Sequence, residues 1–201
     1  MKVAILTFDG FNELDSFIAL GLINRLRHQG WTAEITSPSA QVSSMNGVTI
    51  TAQQPLEFAN EADIVLFGSG IHTRAIAASG ALLDRLQLDP VRQLIGGQCS
   101  GTLLMARLGL LADMPACTDS TTKPWVVEAG VRVLEEPFHA RGPIATAGGC
   151  LASQYLATWV MAVRAGPAAA RSALHYAAPV GEKDAYVERV LGVVQPFLPQ
   201  S

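Results

Sequence analysis

Short β-rich runs alternate with stretches of helical apolar spacing along most of the chain, and this order restricts the fold more than any other feature of the sequence. Residues 2–8 form a first β-rich run that closes on Asp9-Gly10, a turn signal. Leu14, Phe17, Ile18, Gly21, Leu22 and Leu26 then recur at helical spacing, and Gly30 supplies a C-cap. A second strand is predicted over 32–37, closed by Pro38, and residues 43–51 carry Asn46-Gly47 between β-formers, a hairpin signal. Residues 62–67 are continuously apolar, as a strand covered on both faces requires, and run into Gly68-Ser69-Gly70. The pattern then predicts a helix over 74–88, a strand over 93–98 and a helix over 100–111. Later strands are predicted at 131–135 and 144–146, and helices at 151–164 and 185–197, with Gly166-Pro167 as the break after the first of them.

Strands alternating with helices imply a three-layer α/β/α sandwich around a mostly parallel, flavodoxin-like sheet, organised as one domain over 1–201. In such a sheet ligands sit at the carboxyl ends of the strands, which singles out the loops 9–15, 68–72 and 98–101. A hydrophobic fraction of 49% with 15% charged residues excludes a disordered chain. The mean hydropathy of +0.28 suits a surface partly hidden in an oligomer. A net charge of −3 without a basic block leaves no footprint for nucleic acid. Without an apolar stretch long enough to span a membrane, and with Asp9 interrupting the first apolar run too soon for a signal segment, the chain is expected in the cytoplasm. Its three cysteines, Cys99, Cys117 and Cys150, lack CxxC spacing, so neither a disulfide framework nor a metal site is expected.

Gly97-Gln98-Cys99-Ser100-Gly101 lies at a strand-to-helix junction and is the cysteine version of a nucleophile elbow. Its glycines permit a sharp turn that lifts Cys99 above the sheet. The helix that follows aims free amides at the sulfur, which predicts a stabilised thiolate. The amide of Ser100 is placed to hold an oxyanion, and its hydroxyl to orient water. The glycine turn at Gly70 offers a second amide. Glu13 and Asp15 stand where the first strand meets the first helix; either is a proton-transfer partner for the elbow or an acid interacting with a helix start. His72 follows Gly70 and either reaches the pocket mouth or is solvated. Cys150 either resolves an oxidised Cys99 as a disulfide or is a small apolar filler.

An acid after the first strand, a strand ending in a glycine turn and an elbow cysteine together resemble the ThiJ/PfpI superfamily, whose fold is of the class I glutamine-amidotransferase type. The similarity runs from Lys2 to about Ala162 and includes the glycine loop Ala145-Thr146-Ala147-Gly148-Gly149-Cys150. The resemblance implies Cys99 as nucleophile, Asp15 rather than Glu13 as the acid, and Gly70 as an oxyanion-hole glycine. It also implies a homodimer and a small-molecule substrate, with no organic cofactor. Asp15 stands where many members have glutamate, and Cys99-Ser100-Gly101 is similar to the Cys-Thr-Gly elbow of isocyanide hydratases. Members with protease-like or glyoxalase-like activity often carry histidine where this chain has Asp119, which cannot serve as a neutral imidazole base and is an accessory acid or a plain loop acid here. The function implied is hydration of a small electrophile, an isocyanide giving an N-formamide. The alternatives are an oxidative-stress sensor based on Cys99, or a glyoxalase-like or amidotransferase-like hydrolase. Transcription regulators of this fold append a helix-turn-helix domain, which this chain is expected not to carry.

Overall fold

The apolar runs in the middle of the sequence become strands covered on both faces. In the computed structural model, which describes residues 1–199, β1 (Lys2–Leu6) leads into helix α1 (Glu13–Ile23) and a 3-10 turn (Asn24–Gln29) that ends on left-handed Gly30. The chain continues through β2 (Thr32–Ser37), a small hairpin of β3 (Gln41–Ser43) and β4 (Thr49–Thr51), and the short β5 (Gln54–Pro55). Next come α2 (Phe58–Glu61), β6 (Ile64–Phe67), α3 (Thr73–Ala78), α4 (Gly80–Leu83), β7 (Leu94–Gln98), α5 (Gly101–Arg107) and α6 (Lys123–Glu128). A hairpin of β8 (Phe138–Arg141) and β9 (Ile144–Ala147) precedes α7 (Ser153–Ala165), α8 (Pro167–Ala177) and α9 (Lys183–Val194). The last two positions of the span 1–201 lie outside the described residues.

Seven strands form one sheet in the order β5-β2-β1-β6-β7-β9-β8. Every pairing is parallel except β8 against β9. The architecture is therefore the predicted flavodoxin-like α/β sandwich. All residues of β6 and β7 are buried, which explains why neither alternates polar with apolar. On one face Trp159, Met161, Leu174 and Val190 belong to a cluster built with α1, α7, α8 and α9. On the other, Phe67, Leu103, Leu104 and Val126 join residues of α2, α5 and α6. Each large apolar side chain buried in this way contributes about 1.5–3 kcal/mol. From β1 the chain moves outward to β2, whereas β6 pairs with the other edge of β1. The carboxyl ends of β1 and β6 thus border a topological switch point, where such sheets bind ligands.

Several predicted elements change. The helix predicted over 74–88 is split into α3 and α4, because Ser79, just before Gly80, leaves helical geometry with ψ 90°. The strand predicted at 131–135 is not formed. Val133 makes one isolated bridge to Ala116, and the sheet is extended instead by β8, which turns into β9 through left-handed Gly142. Gly166-Pro167 is a helix start as well as a break. Proline is compatible with the first helical turn, and α8 follows, burying Ala170, Ala173 and Leu174. The helix predicted over 100–111 ends at Arg107.

Close backbone approach fixes Gly101. A Cβ there would lie 2.5 Å from the Phe67 carbonyl oxygen and 2.8 Å from that of Gly68. Since both obstacles are backbone, Gly101→Ala is expected to lower stability by about 1–3 kcal/mol, read as a lower urea midpoint. An unchanged midpoint would mean that α5 is not pressed against β6 in this way.

Candidate active site

Cys99 has φ 46°, and it is the one non-glycine residue with positive φ among the described residues. Its neighbours hold it there. The Cys99 N–H donates to Ala147 O at 2.8 Å, and its carbonyl accepts from Thr118 Oγ1 at 2.7 Å and from the Thr102 N–H at 3.2 Å. A left-handed non-glycine residue costs of order 1–3 kcal/mol and persists only where surrounding bonds over-determine it. Here β9, α5 and the 118 loop do so, and the predicted elbow is present.

Asp15, on α1, is 2% exposed. Ser69 Oγ donates to its Oδ2, and Ser153 Oγ donates to its backbone carbonyl at 2.7 Å. Oδ1 is buried with no hydrogen-bond partner of ordinary geometry. The carboxylate, Cys99 Sγ and Cys150 Sγ lie within 4.8 Å of one another. These three ligand atoms form the one such trio among the described residues and are chemically able to take a soft cation. Glu13 points elsewhere: its carboxylate accepts from Ser44 Oγ and from Asn46 Nδ2, the latter at 2.8 Å, and so ties α1 to the β3–β4 turn.

The electrostatics correct the predicted thiolate. Burial, then the carboxylate of Asp15, then Cys150 and Asp119 all push the Cys99 thiol upward. The Gln98 amide, 3.5 Å from the sulfur, opposes this only weakly. The α5 amides do not overcome a buried site that holds two acids. Asp15 is itself pushed up to about 6 by burial, with the charge of Asp119 adding, and with hydrogen bonding from Ser69 and the Cys99 thiol opposing. Cys99 and Asp15 therefore rest as a neutral thiol beside a carboxyl that titrates near neutrality.

Gly70 and Ser100 are brought together, though not as two free donors. The Gly70 N–H donates to Ser100 Oγ at 3.1 Å, Ser100 Oγ lies 2.8 Å from Thr73 Oγ1, and Thr73 Oγ1 donates back to Gly70 O at 2.8 Å. The ring occupies the Ser100 hydroxyl predicted to orient water. Asp119 faces the same cavity, but its Oδ1 accepts from the Thr121 and Thr122 amides at 3.0 and 2.9 Å, capping the turn before α6. His72 is exposed beside Gly10 and does not line the cavity; Ile71 does. Cys150 lines it, with its sulfur accepting from Asn12 Nδ2 at 3.1 Å. Cys117 is buried away from the trio and its thiol is pushed up to about 12 by burial.

The cavity over Cys99 has a volume of about 360 Å³, with Met45, Ile71 and Trp125 as apolar walls. A larger cavity of about 920 Å³, lined by Phe17, Tyr155 and Tyr176, adjoins it at Cys150 but lies away from the elbow. Sequence reasoning missed Asn12, Met45 and Trp125. Asn12 carried a signal, since asparagine before Glu13 is a helix N-cap and its side chain does accept from Leu14 N. The other two reach the site only through packing of the β3–β4 turn and α6.

No family sequence model matches the chain, and no curated protein is significantly similar to it in sequence. Solved structures do match. A ThiJ/PfpI family protein from Pseudomonas syringae superposes with a TM-score of 0.79 at 19% identity, covering 96% of this chain and 87% of that one. A DJ-1 superfamily protein from Salmonella typhimurium gives 0.74 at 22% identity, over 89% of this chain and 98% of the other. Oxidised DJ-1 from Toxoplasma gondii gives 0.72 at 19% identity, over 88% and 97%. At such identities the likeness concerns architecture, and with the sheet order and the elbow already described it shows that the chain has the DJ-1/ThiJ/PfpI superfamily fold.

Proposed function

We propose that the protein is a cysteine-dependent enzyme of hydratase type acting on a small electrophile, with Cys99 as nucleophile and Asp15 as proton shuttle. The observation that carries this reading is the buried Asp15 carboxylate, one of whose oxygens lies within 4.8 Å of Cys99 Sγ. A general base works best with a pKa near the working pH, and about 6 meets that condition. With an isocyanide, the Cys99 sulfur bonds to the terminal carbon while Asp15 takes the thiol proton and returns it to that carbon. Water then adds to the thioimidate, Asp15 accepts one of its protons, and cleavage of the C–S bond with protonation of nitrogen releases the N-formamide and the thiol. The Ser100 amide, at the start of α5, supports charge developing on the substrate. The Gly70 amide joins it when the Ser100 hydroxyl rotates away. A cavity of about 360 Å³ suits a small, largely apolar substrate.

The test is a panel of alkyl and aryl isocyanides with glyoxals beside them. N-formamide formation supports the reading. Hydroxy-acid formation from a glyoxal, without isocyanide turnover, would replace it with a glyoxalase-type activity.

The same reading has the protein act in the cytoplasm as a homodimer. Exposed apolar side chains line the two cavities, with Ile71 61% and Met45 45% exposed at one and Leu151 65% exposed at the other. Light scattering is expected to give twice the chain mass of 21.3 kDa, and Ile71→Asp combined with Leu151→Asp to give monomers. A monomeric wild-type protein at micromolar concentration would contradict the dimer.

A further inference from the structure

We propose that Cys150 and Cys99 form a reversible disulfide, in which Cys150 meets the oxidant and Cys99 closes the bond. The inference rests on the proton exchange between Cys99 and Asp15 proposed above. It begins from geometry. The two sulfurs lie within 4.8 Å of each other, and a disulfide requires them to close to about 2.05 Å, with Cys150 on the short 3-10 turn Cys150–Ala152.

The two thiols are not equivalent. Cys150 is half-buried and borders both cavities, so a small oxidant reaches it from either side. Its sulfur accepts a hydrogen bond from Asn12 Nδ2 at 3.1 Å, which holds it at the cavity wall. Cys99 lies beneath at 3% exposure. A carboxylate oxygen of the buried Asp15 belongs to the same cluster, placed to receive the proton that Cys99 must lose to attack. Cys117 lies outside the trio, fully buried, and serves as an internal control.

The chemistry balances with a hydroperoxide as oxidant. The Cys150 thiolate attacks the terminal oxygen; an S–O bond forms, the O–O bond breaks, and an alcohol, or water from hydrogen peroxide, leaves. The Cys99 sulfur then attacks the Cys150 sulfur. An S–S bond forms, the S–O bond breaks, the Cys99 proton passes to Asp15, and hydroxide departs as water once protonated. Two thiols and one hydroperoxide thus give one disulfide, one alcohol and one water. An external dithiol reverses the bond by exchange. While the disulfide stands, the Cys99 nucleophile is blocked and is shielded from irreversible oxidation.

The experiment treats the whole protein with stoichiometric hydrogen peroxide, then counts thiols and measures the intact mass. The expected result is loss of two thiols per chain with Cys117 retained, a mass lower by two hydrogens, and reversal by dithiothreitol. Retention of all the thiols, or oxygen addition without cross-linking, would overturn the proposal. Single variants test the order of events. Cys99→Ser is expected to halt at a sulfenate on Cys150 that dimedone traps, whereas Cys150→Ser labels at Cys99 at least about ten-fold more slowly. Faster labelling at Cys99 would reverse the assignment. Asp15→Asn should slow closure of the disulfide without slowing sulfenate formation on Cys150; unchanged closure would remove Asp15 from the step. Isocyanide turnover without a disulfide overturns this proposal alone, and a disulfide without turnover overturns only the proposed function.

Discussion

Cys99→Ala is expected to remove isocyanide hydration to background, a loss of about 10³-fold or more in kcat/KM, because in the proposed mechanism Cys99 forms the covalent intermediate. Alanine adopts the same left-handed backbone at the same cost, so the elbow is retained and the folded protein survives. Circular dichroism and the urea midpoint check this beside the activity. The nearby Cys150 gives the experiment its control. If Cys150 were the nucleophile, Cys99→Ala would keep a substantial fraction of the activity, and a retained activity would move the reaction centre to the Asn12-bound sulfur.

Asp15→Asn is expected to lower kcat by about 10²–10⁴-fold, the usual contribution of a positioned acid or base, and to raise stability. Burial raises the Asp15 pKa from 3.8 to about 6, so between these values the folded protein holds a proton that the unfolded chain has released. Stability then falls as pH rises through that window, and above it the fold carries a buried charge. A difference of this size corresponds to about 2–3 kcal/mol. Asparagine keeps an acceptor for Ser69 and removes the charge. Thermal unfolding should therefore show Asp15→Asn several degrees above wild type at pH 8 and close to it at pH 4. Equal offsets at both pH values would mean that the carboxylate is solvated. A stabilised, inactive variant is what a functional group held at a cost to the fold predicts.

The parts of this site that are local in sequence were legible in it. The turn Gly97–Gly101 needs only flanking strand and helix to become an elbow, and Cys99 takes the strained conformation that the pattern implies. The β6 and β7 runs are apolar throughout because both their faces are covered, and that reads directly as buried parallel strands. Which acid lies beside the cysteine was not legible from spacing, since Glu13 and Asp15 both begin α1. Contacts from the β3–β4 turn take Glu13, and contacts from Ser69 and Ser153 bury Asp15. The state of the thiol was also misjudged. Helix amides follow Cys99 in sequence, whereas the acids that oppose them arrive from residues 15 and 119, far along the chain. Trp125 and Met45 became cavity walls for the same reason, and α8 went unread because Gly166-Pro167 reads as a break although proline also fits a helix start.

The measurement that bears most directly on the Cys99–Asp15 pair is the pH dependence of Cys99 alkylation in wild type and in Asp15→Asn, followed by peptide mass so that the other cysteines do not contribute. The pair predicts a wild-type thiol titrating above the free value of about 8.5, because burial and the Asp15 carboxylate both oppose the thiolate, and a lower value in Asp15→Asn. A wild-type thiol that titrates at or below the free value, with a profile that Asp15→Asn leaves unchanged, would show that the two groups do not share a proton and would contradict the mechanism built on them.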